Sequence, residues 1–316
     1  MTLHLVAADL AAAGPLVGLW LLWRAARGDR LAAELERGLL RASIWALIAA
    51  MALGAAALAV LWRMHNEAWF AAARRIPESR YWYGLVELGF SWACLAIALR
   101  LGGRDPAAGF GGRFKARFIL LALAGTNLAY HFPPLFAAIG VLSTRPEGFG
   151  TKVRFVAMLA DPEVLARTVH HLLAALAVAG AAIVVGALRW KAPSESDSRR
   201  RAASWGGRIA LAAAAGQLLA GLHLLFQLSP AARQRLMGED ALASLLFAAA
   251  LFATVVLLHR LAAIAFGDAE PRQIIISTIL IALIMLLMVA TRHRTRQEIS
   301  LPPGGPLVVF GGQTVS

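Results

Sequence analysis

Five of the eight histidines, His4, His131, His170, His171 and His223, fall inside strongly apolar stretches or at their ends, where an ionisable ring must find a partner. A neutral imidazole meets that need by binding a metal through one ring nitrogen while the other donates to a carbonyl or carboxylate. The chain has a single cysteine, Cys94, and no CxxC or CxxCH. Thiolate zinc sites, iron–sulfur spacings, covalent c-type haem attachment and a disulfide framework are therefore excluded. Their convergence in one half of the membrane points to non-covalent haem b on axial histidines, with one to three haems per chain.

Each histidine has its own surroundings. His223 lies in GQLLAGLHLLF, with Ala220 and Gly216 three and seven residues earlier on nearly the same helical face. His171 is followed by Ala174, Ala175 and Val178 at three, four and seven. Both patterns leave a smooth groove for a flat ring, and both equally permit close helix packing. His170 points about 100° away from His171, so one of the two is expected as an iron ligand and the other as a propionate or headgroup contact. The pairing expected is His171 with His223 on one haem and His131 or His4 on another. His131 sits in NLAYHFPPL, where Pro133 and Pro134 remove the backbone bonds to the carbonyls of Ala129 and Tyr130, so a kink is expected there. His4 begins its stretch, where solvation is an equal alternative. Glu87 lies one turn into an apolar segment and must be protonated, paired or coordinated, which makes it a candidate for proton or redox chemistry. Asp9 has the same problem nearer a segment end. His65, His259 and His293 read as solvated interface residues. Arg145, Arg154 and Arg167 lie between two apolar segments and are candidate propionate partners, with ordinary surface charge as the alternative.

The elements that must carry these residues are membrane helices. With 59% hydrophobic and 16% charged residues and a mean hydropathy of +0.66, the chain is far from a soluble globular composition. About eight segments, near 3–23, 42–62, 83–99, 118–142, 168–188, 209–228, 241–259 and 273–291, are long enough to cross a hydrocarbon core of about 30 Å. The fold class is thus all-α, a polytopic membrane helix bundle. All 31 Lys and Arg lie outside these segments, and of 18 acidic residues only Asp9 and Glu87 lie inside. Alternate connections carry 18 and 13 Lys and Arg, which places the richer set in the cytoplasm and both termini outside. The net charge of +13 is spread over these connections, so anionic lipid, and not nucleic acid, is the expected partner. The dense run Arg199, Arg200, Arg201 reads as a cytoplasmic topology anchor. Trp62, Trp69, Tyr81, Trp82 and Tyr83 read as an interfacial belt. The first segment lacks a basic n-region and reads as a retained helix. No Walker loop, catalytic triad or metalloprotease spacing is present. The Pro- and Gly-rich stretch 300–316 cannot continue a helix and reads as an extracytoplasmic tail that docks another subunit.

Over roughly residues 1–190 the chain resembles subunit I of the cytochrome bd quinol oxidase superfamily. His4 resembles the family's first-helix haem ligand, and Glu87 in GLVELGF resembles an acidic residue of its third helix. The segment 126-TNLAYHF-132 is similar to a fourth-helix SNLSALW pattern, and 169-VHHLLAALAVAG-180 to a fifth-helix VH…A…VTG pattern that aligns His171 with a haem ligand. The family's large quinol-binding loop with GRQPW is replaced by the short connector 229–240, its late methionine ligand has no equivalent, and the last span has no glutamate. The resemblance implies a five-helix haem-binding bundle over 1–190, followed by three further spans over 191–299. It implies a multi-pass protein of the bacterial cytoplasmic membrane that moves electrons between quinone and an outer-face redox partner, such as a multihaem c-type subunit. Two readings compete with it. One is a transporter or proton channel using Glu87 and His131; the other is a non-redox anchor for an extracytoplasmic enzyme.

Overall fold

Helix start signals in the sequence are used as written. Asp29, Asn66, Asp161, Ser229 and Asp240 each accept a backbone N–H from the first turn that follows, and Pro162 and Pro230 occupy the first helical turn, where a missing N–H costs nothing. The computed structural model describes residues 2–102, 109–145, 152–190 and 192–295. Among them the helices are α1 Thr2–Ala26, α2 Arg30–Arg63, α3 Glu67–Arg75, α4 Ser79–Leu101, α5 Gly112–Leu142, α6 Phe155–Leu159, α7 Pro162–Gly186, α8 Ser196–Gln227, α9 Pro230–Gln234, α10 Ala241–Ala265 and α11 Pro271–Thr295, with no strand. The tail 300–316 and its expected docking role lie outside the described residues.

Eight of these helices, α1, α2, α4, α5, α7, α8, α10 and α11, are long and apolar enough to span a membrane. The protein is therefore an all-α polytopic bundle with its long helices in contact with lipid. Two helices are much longer than the apolar segments that seeded them. α2 starts at Arg30 and α8 at Ser196. Both extensions are amphipathic and bury one face, through Leu31, Leu35 and Leu39 in α2 and Ala202, Ala203 and Gly206 in α8, so packing carries the helix beyond the hydrocarbon. The basic run 199–201 accordingly sits on α8 and not in a loop. α5 continues through Pro133 and Pro134 as one helix.

α1 is the central element and packs against α2, α5 and α7; α4 packs on α5, α8 on α7, α10 on α8 and α11 on α10. One buried cluster joins Leu21, Leu35, Ile183, Ala202, Ile264 and Ile274, so helices before and after residue 190 share a core. The α7–α8 seam depends on glycine. A Cβ on Gly206 would lie 2.5 Å from the Gly180 carbonyl oxygen and 2.8 Å from the Val184 nitrogen. Backbone cannot yield as a flexible side chain does. Gly206→Ala is expected to destabilise by about 2 kcal/mol or more, whereas Gly89→Ala, with open space around its Cβ, is expected to be neutral or to stabilise by about 0.5 kcal/mol. Thermal unfolding of the two variants in the same detergent reads the opposite signs.

At the end of the bundle that carries the α1–α2, α4–α5, α7–α8 and α10–α11 connections, one ion pair is deeply placed. Arg117 donates through Nη2 to both oxygens of Glu36, at 2.7 and 2.6 Å, and through Nε to the Ala98 carbonyl at 3.1 Å. Glu36 is 1% exposed. The contact fastens α2, α4 and α5 together.

Candidate functional site: two carboxylate–imidazole pairs

The histidines collect toward the opposite end. His131, on α5, is 3% exposed, and its Nδ1 lies 2.7 Å from Oε2 of Glu87 on α4. The approach is close but does not align as a hydrogen bond, and among the described residues neither Glu87 Oε2 nor His131 Nε2 has a hydrogen-bonding partner. Gly84, three residues before Glu87, lets the ring in: a Cβ there would fall 3.1 Å from His131 Nε2. One turn before His131, Asn127 donates through Nδ2 to the Glu87 carbonyl at 3.2 Å and to Ser91 Oγ at 2.9 Å. The result is a polar strip, Glu87, His131, Asn127 and Ser91, on the α4–α5 contact.

A second pair lies between α1 and α7. Asp9, 1% exposed, has Oδ1 3.2 Å from Nε2 of His171. His4, His170 and Arg292 lie within electrostatic reach of the same ring. Arg292 approaches from α11 and packs over Gly140, where a Cβ would be 3.1 Å from its Nη2. His4 is half-buried rather than solvated. Its Nδ1 is 2.9 Å from the Ala50 carbonyl of α2, and its ring lies on Gly54, whose Cβ would come within 3.0 Å of Cε1. With Nδ1 as the donor, His4 keeps Nε2 for another partner.

The remaining candidates are placed apart from these pairs. His170 faces α8, with Cε1 3.5 Å from the position of a Gly221 Cβ. His223 is exposed and follows Gly221 by two residues, about 200° around α8. The structure therefore turns His171 toward α1 and His223 away from α7, and does not bring the two together. Arg145 binds Asp161 at 2.6 Å and Glu163 at 3.1 Å, and Arg167 binds Glu163 at 2.6 Å. Their charges are already compensated by carboxylates. Arg154 is exposed at the start of α6. Asn127 and the partner of Asp9 were the parts that sequence reasoning missed. Asn127 could have been found, because it precedes His131 by four residues and so shares its helix face.

The Arg145 cluster gives a pH dependence. Burial works to raise the Asp161 carboxyl, but hydrogen bonds from Arg145, Val164 N–H and Glu163 N–H outweigh it and hold the group below its ordinary 3.8. A carboxyl lowered on folding stabilises above its ordinary value and loses that contribution as pH falls through the lowered one. Thermal stability is thus expected to hold down to about pH 4 and then to fall. In Asp161→Asn, that part of the acid sensitivity should be absent, and its persistence would contradict the assignment.

Among the described residues no three His, Cys, Asp or Glu side chains group closely enough to chelate a bare metal ion. Haem makes a smaller demand, since the porphyrin supplies four nitrogens and the protein one or two axial groups. Buried Nε2 of His131, with no hydrogen-bonding partner among the described residues, and Nε2 of His4 are of the right donor type. Comparison of the chain with protein-family models and with curated proteins finds no match.

Proposed function

We propose that this protein is a haem b-binding membrane subunit of an electron-transfer complex. The observation that carries the reading is His131: a buried imidazole with Nδ1 beside a carboxylate and Nε2 without a hydrogen-bonding partner among the described residues. A carboxylate this close to one ring nitrogen favours the tautomer that carries the proton there, and leaves the other nitrogen as the more basic, iron-binding one. His4, anchored through Nδ1 on the Ala50 carbonyl, repeats the arrangement on α1. The resemblance of residues 1–190 to subunit I of the cytochrome bd superfamily points the same way. Bound at these nitrogens, haem supplies one-electron chemistry. The chain's own residues hold it, exclude water and place Glu87 and Asp9 where a proton can accompany a change of charge. In this reading electrons pass between quinone in the membrane and a redox subunit at the histidine-bearing end, with His170 and His171 as further haem contacts. His223, facing outward, is available only to a haem or subunit added at that side.

Purified protein should give a b-type reduced-minus-oxidised spectrum, with at least one haem per chain by pyridine haemochrome. Folded protein isolated from haem-replete cells without that spectrum would refute the proposal.

A second reading, proton movement by Glu87 and His131, is favoured by their 2.7 Å contact and by the continuation of the polar strip to Asn127 and Ser91. Beyond Ser91 the α4–α5 contact is lined by Cys94, Leu95, Ala98, Leu121 and Ala124. That apolar stretch interrupts the route before Glu36 and Arg117, so a complete channel is the weaker reading. Proton flux in haem-free vesicles would decide in its favour.

A further inference from the structure

The cation-rich end of the bundle holds a lattice of tryptophan and arginine. Trp20 meets Trp205 edge to face at 5.5 Å. Arg24 lies 4.3 Å from the Trp205 ring, Arg27 3.7 Å from Trp23 and Arg189 3.9 Å from Trp190. Beside this lattice, between α1, α2 and α8, Trp23, Arg24, Arg27 and Trp190 border a cavity of about 790 Å³, with Leu31 and Trp190 as its apolar floor and Arg27, Arg30 and Arg201 on its rim. A neighbouring cavity of about 390 Å³ shares Arg201 and adds Arg200, Arg208 and the exposed ring of Phe266.

The charges around the larger cavity do not balance. Its two carboxylates are already engaged: Asp29 binds Arg24 at 3.0 Å and Arg201 at 3.2 Å and caps α2, while Glu34 binds Arg189 at 3.3 Å. Arg27 and Arg30 have no carboxylate partner among the described residues, and both are exposed. Tryptophan gathers where a membrane protein meets the headgroup layer, and a basic pocket between helices at that level is complementary to lipid phosphate. The exposed Trp23 and Phe266 offer apolar flanks for acyl chains. A soluble phosphate compound would make no use of those flanks.

We propose that this cleft binds the phosphodiester headgroup of an anionic phospholipid, with Arg27 and Arg30 as its phosphate contacts. The site is independent of the haem proposal and survives its failure. Native mass spectrometry of the detergent-purified full chain, with phosphatidylglycerol and phosphatidylcholine added at equal concentration, tests it. Wild type should retain phosphatidylglycerol about tenfold or more over phosphatidylcholine. R27Q/R30Q, which breaks no ion pair among the described residues, should lose that preference, and R233Q/R235Q, an equal charge change at the other end, should keep it. Equal retention of the two lipids by wild type, undiminished preference in R27Q/R30Q, or displacement of the lipid by millimolar inorganic phosphate would each overturn the proposal.

Discussion

Replacing His131 by alanine is expected to remove one b-type haem per chain, seen as a proportional loss of the reduced absorption band and of pyridine haemochrome. The expectation follows from the imidazole's position: it is buried, and among the described residues its Nε2 has no hydrogen-bonding partner to compete with iron. Glu87→Gln tests the same site more gently. It keeps the shape of the contact while removing the charge 2.7 Å from Nδ1, and weakening of haem affinity by about 10- to 100-fold is expected. The two variants separate the competing readings. If His131 and Glu87 instead relay protons, both substitutions should abolish flux to the same extent and leave any haem spectrum untouched. Because His131→Ala also empties a packed position, its fold should be confirmed by circular dichroism before haem content is read.

The second large effect is on stability. Glu36→Ala is expected to destabilise by about 3–5 kcal/mol, since among the described residues it leaves the Arg117 guanidinium at the α2–α4–α5 junction with only the Ala98 carbonyl as a hydrogen-bonding partner. Removing both charges should cost much less than removing one. Attraction in a buried pair is largely offset by the loss of hydration on both sides, so E36M/R117M is expected to recover most of the loss. Thermal unfolding in a single detergent measures both. A double variant as unstable as Glu36→Ala would show that the pair contributes substantial net stability of its own.

Much of the molecule was legible in the chain. Apolar length and the exclusion of all 31 Lys and Arg from the apolar segments fix eight spanning helices, because a membrane forces every backbone polar group into internal hydrogen bonds and leaves helices as the solution for such segments. The cost of an unpaired ionisable group in that medium marked His131, Glu87 and Asp9 as residues in need of partners. The aromatic cluster around Trp69 and Tyr81 was readable from local sequence, but that of Trp20, Trp23, Trp190 and Trp205 was not, because they lie up to 185 residues apart and gather only through the packing of α1 against α8 and the segment before it.

Sequence by itself therefore determined the fold class, the spans and which side chains could not stand alone. Tertiary structure decided who answers them. Helical spacing gives the direction of a side chain on its own helix, but not the rotation of that helix against its neighbours. At the α7–α8 seam that rotation is set by close backbone approaches at Gly180 and Gly206, and at the α4–α5 contact Gly84 admits the His131 ring. Helix rotation brought Glu87 to His131 and Asp9 to His171, and turned His223 out of reach of the ring with which the spacing had paired it.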